Sequence, residues 1–216
     1  ENSSDGPLAE TLDLLAGSSL SICGEIYVEV HHCLLSRSPI EQIKRVYSVP
    51  TVFRQCEDWI GTKLSSAELF PIASTSNAAE MAVKEPGSAA IGNSMSGEIY
   101  GLDIIAENIE DLTHNRTRFA VISNRATQPT GKDKTSLLFS TKHEPGTLCR
   151  ALSAFERAGL NLTMIQSRPD RRTPWEYVFF LDFSGHKDEE RVQKALAELK
   201  EVTTYIKVLG SYPEGE

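Results

Sequence analysis

The sequence predicts a two-part α/β protein: a lobe of alternating strands and helices, then a small βαββαβ domain. Three observations carry this. The 216 residues exceed what one small core usually fills. Apolar strand-like runs alternate with helical stretches from Ser19 to Ile122. From about Thr135 to Tyr212 the pattern strand–helix–strand occurs twice in succession.

In the first part, Leu8, Leu12 and Leu15 have the spacing of a helix face over 7–16, with Pro7 suited to its first turn. Residues 19–35 are strand-rich, with Ile22, Ile26, Val28 and Val30 among charges. Val46–Pro50 reads as a strand entering a turn, and Thr51–Leu64 as one helix with Val52, Cys56, Trp59 and Ile60 on a face. The alternation continues with a strand at 69–73, a helix at 77–84 and a strand at 89–91. A helix at 94–100 and strands at 102–106 and 118–122 complete it, implying a mixed or parallel sheet. The loop at 123–134, with Pro129 and Gly131, is the best linker. The expected division is a domain at 1–124, a linker at 125–134 and a second domain at 135–216.

The second part is clearer. Strand 135–140 leads to Glu144-Pro145-Gly146, which opens a helix that Gly159 stops. Strands at 162–167 and 176–183, a helix at 188–198 and a strand at 203–209 follow. Four antiparallel strands with both helices on one face, a ferredoxin-like sandwich, is the expected result.

Acidic residues outnumber basic ones 30 to 22, which argues against a nucleic-acid or membrane-surface protein. No apolar run approaches the roughly 20 residues that span a bilayer. Cys23, Cys33, Cys56 and Cys149 form no C-x-x-C pair, so reduced thiols in a cytoplasmic protein are expected. His31-His32-Cys33 lacks a fourth ligand at metal-site spacing, and its expected role is structural.

Several strings, in order and spacing, resemble the prephenate dehydratase family. They are Glu1-Asn2-Ser3 with Gly6; Val46-Tyr47-Ser48 with Pro50; Gln55-Cys56; and Ser74-Thr75 with Ala78-Ala79. Glu107-Asn108-Ile109-Glu110-Asp111, Asn115 and Thr117-Arg118-Phe119 continue the series. The tail resembles the family's ACT regulatory domain through Pro145-Gly146-Thr147-Leu148, Asn161-Leu162-Thr163 and Gln166-Ser167-Arg168-Pro169. Trp175-Glu176-Tyr177 and Leu209-Gly210-Ser211-Tyr212-Pro213 extend it.

The resemblance implies a type II periplasmic-binding-protein-like catalytic lobe followed by an ACT domain. It also implies conversion of prephenate to phenylpyruvate, carbon dioxide and water, without cofactor or metal, under feedback by L-phenylalanine in a homodimer or homotetramer. Carried over by position, Thr117 donates to the departing hydroxyl, Arg118 clamps a carboxylate and Phe119 shapes the pocket. Asn2, Ser48 and Gln55 orient substrate or support Thr117, with Ser3, Ser74 and Thr75 as further candidates. Effector residues are Gly146, Leu148, Asn161, Leu162, Gln166, Ser167, Arg168 and Pro169. The helix start after Gly146 supplies N–H groups suited to a carboxylate.

Departures from the family pattern are Val49 where histidine is common and Gln166 where glutamate is usual. A third departure is that the glycine-rich strand–helix segment with which the family usually begins is missing before Glu1, so the catalytic lobe is expected to be incomplete at its N-terminus; that segment or a chorismate mutase helix is what the sequence upstream would show. Two further readings stay open: an amino-acid-binding regulatory protein whose truncated lobe is inactive, and the close variant arogenate dehydratase.

Overall fold

The computed structural model describes residues 1–3, 6, 9–169 and 177–215. Pro7, Leu8, Arg171, Arg172 and Trp175 lie outside them. The chain forms two compact units, one of Glu1–Val28 with Arg118–Glu216 and the other of Glu29–Thr117.

The Glu29–Thr117 unit is built on a five-stranded mixed sheet. Its strands are β2 (Cys33–Ser36), β3 (Arg45–Ser48), β4 (Glu68–Pro71), β5 (Ser88–Gly92) and β6 (Asp103–Ala106), in the order β4-β3-β5-β2-β6. β3 runs parallel to β4 and β5, whereas β2 is antiparallel to β5 and β6. Every residue of β5 is buried, as a central strand covered on both faces should be. One face carries Leu34, Val46 and Ile91 against Val52, Cys56 and Ile60 of helices α2 (Pro50–Gln55) and α3 (Glu57–Lys63). The other packs Leu35, Tyr47 and Ala90 against Ala78, Ala79 and Ala82 of α4 (Thr75–Lys84). A further helix, α5 (Ser94–Tyr100), ends on Gly101 at φ 64°.

The single helix expected over 51–64 is two. Cys56, at φ −123°, interrupts the spiral between α2 and α3. The Asp111 carboxylate supplies the reason, accepting from the N–H groups of Asp58 at 3.1 Å and Trp59 at 3.3 Å. It caps a new helix start.

In the other unit, β8 (Asp133–Ser140), β9 (Leu162–Pro169), β10 (Tyr177–Ser184) and β11 (Tyr205–Pro213) form an antiparallel sheet ordered β11-β8-β10-β9. Helices α6 (Thr147–Arg157) and α7 (Glu190–Val202) cover one face. Ala151, Phe155, Val192, Ala195 and Leu199 meet Leu137, Phe139, Leu181 and Phe183 there. This is the expected βαββαβ sandwich. The opposite face is covered too: Leu138, Phe180, Leu209 and Tyr212 pack with Leu12 of α1 (Ala9–Gly17) and Ile22 of β1 (Ser21–Glu29). β8 is therefore buried along its whole length. β1 pairs with β7 (Arg116–Ser123) in a two-stranded ribbon.

Candidate active site and effector site

The parallel strands β3, β4 and β5 each end at the same edge of their sheet and each leads towards a helix start. Open α/β sheets bind ligands beyond such carboxyl ends. Ser48 closes β3, fully buried, and its hydroxyl donates to the Ile91 carbonyl at 2.8 Å, tying β3 to β5. Ser74 caps α4, its Oγ accepting from the Asn77 N–H at 3.1 Å. Thr75 opens that helix, its Cβ 3.7 Å from where a Gly92 side chain would begin. Asn93 caps α5 in the same way, accepting from Ser96 N–H at 2.9 Å.

Because β2 is antiparallel, its start lies at this edge, with Cys33 opposite Gly92. His32 precedes it, buried, with Nε2 2.7 Å from Gln55 Oε1. The His32 N–H donates to Glu110 Oε2 at 2.8 Å and its carbonyl accepts from Ile109 N–H at 3.0 Å. The Gln55 carbonyl accepts from Asp111 N–H at 2.7 Å. Residues 109–111 thus brace both His32 and Gln55.

Glu110 also meets His31 Nδ1 at 2.8 Å. Burial pushes the Glu110 carboxyl up, but the His32 N–H and His31 outweigh it and hold it below the ordinary value. The Glu110 hydrogen bond raises His31. Beside Gln55, burial pushes the Cys56 thiol up to about 12, so it is an inert packing group.

The structure thus gathers Ser48, Gln55, Ser74 and Thr75 around one sheet edge. Thr117, half-buried on β7, belongs to the same unit. His32, Glu110 and Asp111 were not among the expected site residues. Their signal was present in two strings, His31-His32-Cys33 and Ile109-Glu110-Asp111, but the pairing between them spans 78 residues.

The remaining expected catalytic residues belong to the other unit. Asn2 pairs with Gly6, their N–H and carbonyl groups exchanging bonds of 3.0 and 2.8 Å, and Ser3 is exposed. Phe119 is 54% exposed on β7. Arg118 is nearly buried, and its guanidinium makes four hydrogen bonds to described residues. Nε reaches Glu25 at 2.6 Å, Nη1 reaches both Asp182 at 2.7 Å and Glu1 at 2.9 Å, and Nη2 reaches the Tyr212 hydroxyl at 2.6 Å. Lys134 adds a second cation, 2.7 Å from Glu25. Burial pushes Glu25 up, yet Lys134, the Gly215 N–H and Arg118 hold it below its ordinary value. Burial pushes the Asp182 carboxyl up, with Arg118 pulling the other way.

In the βαββαβ domain, Gly146 caps α6 at φ 80°, a left-handed conformation that favours glycine. A cavity of about 110 Å³ lies at this helix start, with Thr141, Lys142, Glu144, Thr147, Leu148 and Phe179 among its walls. On β9 the expected effector residues divide between the two faces by the two-residue period of a strand, with a register shift between Asp182 and Phe183 that brings Leu162 to the side of Ser167. Leu162 and Ser167 oppose Phe183 and Phe179 on the side of α6 and α7. Pro169 shares their alternation, opposite Tyr177, which also lines the cavity. Gln166 and Arg168 oppose Phe180 and Val178 on the other face, where Arg168 makes two 3.0 Å bonds to Asp13 of α1. Asn161 is exposed just before β9, its carbonyl accepting from Ser184 N–H at 2.9 Å.

The prephenate dehydratase family model matches residues 1–127, and the ACT domain model residues 135–201. The bifunctional chorismate mutase/prephenate dehydratase of Aquifex aeolicus is 46% identical over 215 residues, covering 99% of this chain and 59% of that protein. The chain spans about three fifths of the length of the curated relatives it matches. A solved prephenate dehydratase from Arthrobacter aurescens, in complex with L-Phe, superimposes with a TM-score of 0.86 at 32% identity. That match covers 96% of this chain and 71% of the other. A structure described as a novel type of quorum-quenching acylase has the same TM-score and identity, covering 99% and 79%. The fold is that of the prephenate dehydratases, a type II periplasmic-binding-protein-like α/β lobe with a C-terminal ACT domain, and the chain belongs to the prephenate dehydratase family.

Proposed function

We propose that this chain carries the dehydratase and regulatory parts of an enzyme converting prephenate to phenylpyruvate, carbon dioxide and water. The observation that carries the reading is the family match over 1–127, which includes the Thr117-Arg118-Phe119 string. The polar sheet edge with Ser48, Gln55, Ser74 and Thr75 supports it, since the substrate has two carboxylates and a hydroxyl to be held.

In this reaction the bond to the ring carboxylate breaks, and its electron pair enters the ring. The ring becomes aromatic and expels hydroxide, which a proton turns to water. Thr117 stabilises the departing oxygen by donating its hydroxyl proton in a hydrogen bond. Gln55 orients the substrate through its amide. By the family pattern Arg118 is the residue for a substrate carboxylate, and of its three acidic partners Glu1 is the most exposed, at 29%.

L-phenylalanine is the effector, its carboxylate held near the α6 start after Gly146 and its ring beside Leu148 and Leu162. The L-Phe complex of the Arthrobacter aurescens relative supports this part. Assembly of the chain into an allosterically regulated homodimer or homotetramer belongs to the same reading. So does a cytoplasmic location, which four free cysteines support. Among the described residues no helix is long and apolar enough to cross a membrane.

The test is turnover by the intact protein, measured as phenylpyruvate formed from prephenate, with arogenate in a parallel assay. Phenylpyruvate formation that phenylalanine suppresses is the expected result. Phenylalanine formed from arogenate alone would move the assignment to arogenate dehydratase.

A further inference from the structure

We infer that His32 is a positioning residue for this reaction, acting through Gln55. The inference rests on the dehydratase reading above, and concerns how that site is built. Its observation is the 2.7 Å approach of His32 Nε2 to Gln55 Oε1, made by a histidine that is only 6% exposed.

A carboxamide offers two kinds of group, an accepting oxygen and a donating NH2. Which one faces the substrate decides what Gln55 can do. An amide oxygen only accepts, so a histidine nitrogen this close must carry a proton. His32 is therefore protonated at Nε2, and Gln55 Oε1 is committed as an acceptor. Towards anything else the Gln55 side chain can offer only N–H donors. Donors are what a carboxylate and a departing oxygen require, because both carry negative charge.

The surroundings hold this arrangement from both ends. His32 has its N–H on Glu110 Oε2 at 2.8 Å and its carbonyl on Ile109 N–H at 3.0 Å. The Gln55 carbonyl receives Asp111 N–H at 2.7 Å. Three consecutive residues thus fix the backbones of both partners, and the side-chain bond fixes the amide plane. Asp111 also caps α3 immediately after Gln55, so the same segment sets the helix break that presents the side chain. Glu110 contributes a carboxylate to the His32 main chain and to His31, so it anchors the brace without touching the His32 ring in any described contact.

The intact protein tests this by kinetics and by nitrogen NMR together. His32→Leu removes the donor at similar bulk, and should lower kcat about tenfold to a hundredfold, as a misplaced catalytic group does, with KM within about twofold. His32→Gln, which can place an N–H near the Nε2 position, should restore at least a third of kcat. In a Gln55→Ala background, His32→Leu should cost nothing further, because its effect passes through Gln55. Long-range proton–nitrogen spectra should show His32 protonated at Nε2 in the wild type, and a mixture of tautomers in Gln55→Ala. Independent losses that multiply in the double variant would overturn the proposal, as would a His32 tautomer indifferent to Gln55. If His32→Leu does not fold, the spectra and His32→Gln decide alone, and a His32→Gln enzyme no faster than a hundredth of wild type overturns it. Wild-type turnover separates the two claims. None at all overturns the dehydratase reading and the catalytic role of His32 with it, whereas turnover with multiplying losses overturns the proposal only.

Discussion

The Arg118 guanidinium lies 2.7 Å from the Asp182 carboxylate, across 64 residues of sequence, and both side chains are almost fully buried. Asp182 belongs to β10 of the ACT sheet, and Arg118 directly follows Thr117. Removing Asp182 leaves one buried N–H donor of Arg118 unmatched, although Glu25 and Glu1 still balance its charge. Asp182→Ala should therefore lower unfolding free energy by about 1–3 kcal/mol. Urea denaturation monitors it, and a midpoint equal to the wild type would show that Glu25 and Glu1 suffice for Arg118.

The His31–Glu110 contact makes stability depend on pH in a defined window. Glu110 is held below its ordinary value of 4.5, so its contribution is present above that value and is lost as pH falls through the lower folded-state value. His31 is raised above 6.5, so its contribution is complete below 6.5 and is lost as pH rises through the raised value. The pair stabilises most between these limits, near pH 5–6. His31→Gln should cost most melting temperature there and almost none at pH 9. The effect is small, because the His31 side chain is 49% exposed. A cost independent of pH would mean that the ring acts by packing instead.

Phenylalanine should raise the melting temperature of the intact protein, because ligand stabilises the state that binds it. At a hundred times its Kd the gain is about 2.7 kcal/mol. Gly146→Val should abolish the shift. It should also cost about 1–2 kcal/mol by itself, since Gly146 sits at φ 80° and a new Cβ would lie 3.2 Å from Arg150 Nη1. The comparison is thus between melting points with and without ligand for each protein. Glycine, which lacks the ring, is the control. Equal shifts with phenylalanine in wild type and variant would remove the α6 start from the effector site.

Local signals were legible where local physics decides the outcome. Gly159 stops α6 because φ 62° suits glycine, and the Gly159 and Leu160 N–H groups close on Glu156 and Phe155. The break at Cys56 was not legible, because its cause is a carboxylate at Asp111, 53 residues away from the Asp58 N–H it caps. The cluster around Arg118 was hidden for the same reason: Glu25 and Asp182 are 93 and 64 residues distant. The string Gln166-Ser167-Arg168-Pro169 was readable as a unit, yet the strand period sends Gln166 and Arg168 to the face opposite Ser167. Co-linear strings mark which residues matter, while their partners come from tertiary pairing.

Thr117 is the residue on which the account turns. Serine keeps its hydroxyl and alanine removes it, with little change in bulk at a half-buried strand position. The decisive measurement is the prephenate turnover number of the intact wild type, Thr117→Ser and Thr117→Ala. Loss of a donor to a developing negative charge predicts a fall of about a hundredfold or more for alanine, with much of the activity kept by serine. Folded Thr117→Ala protein turning over prephenate at the wild-type rate would contradict the account.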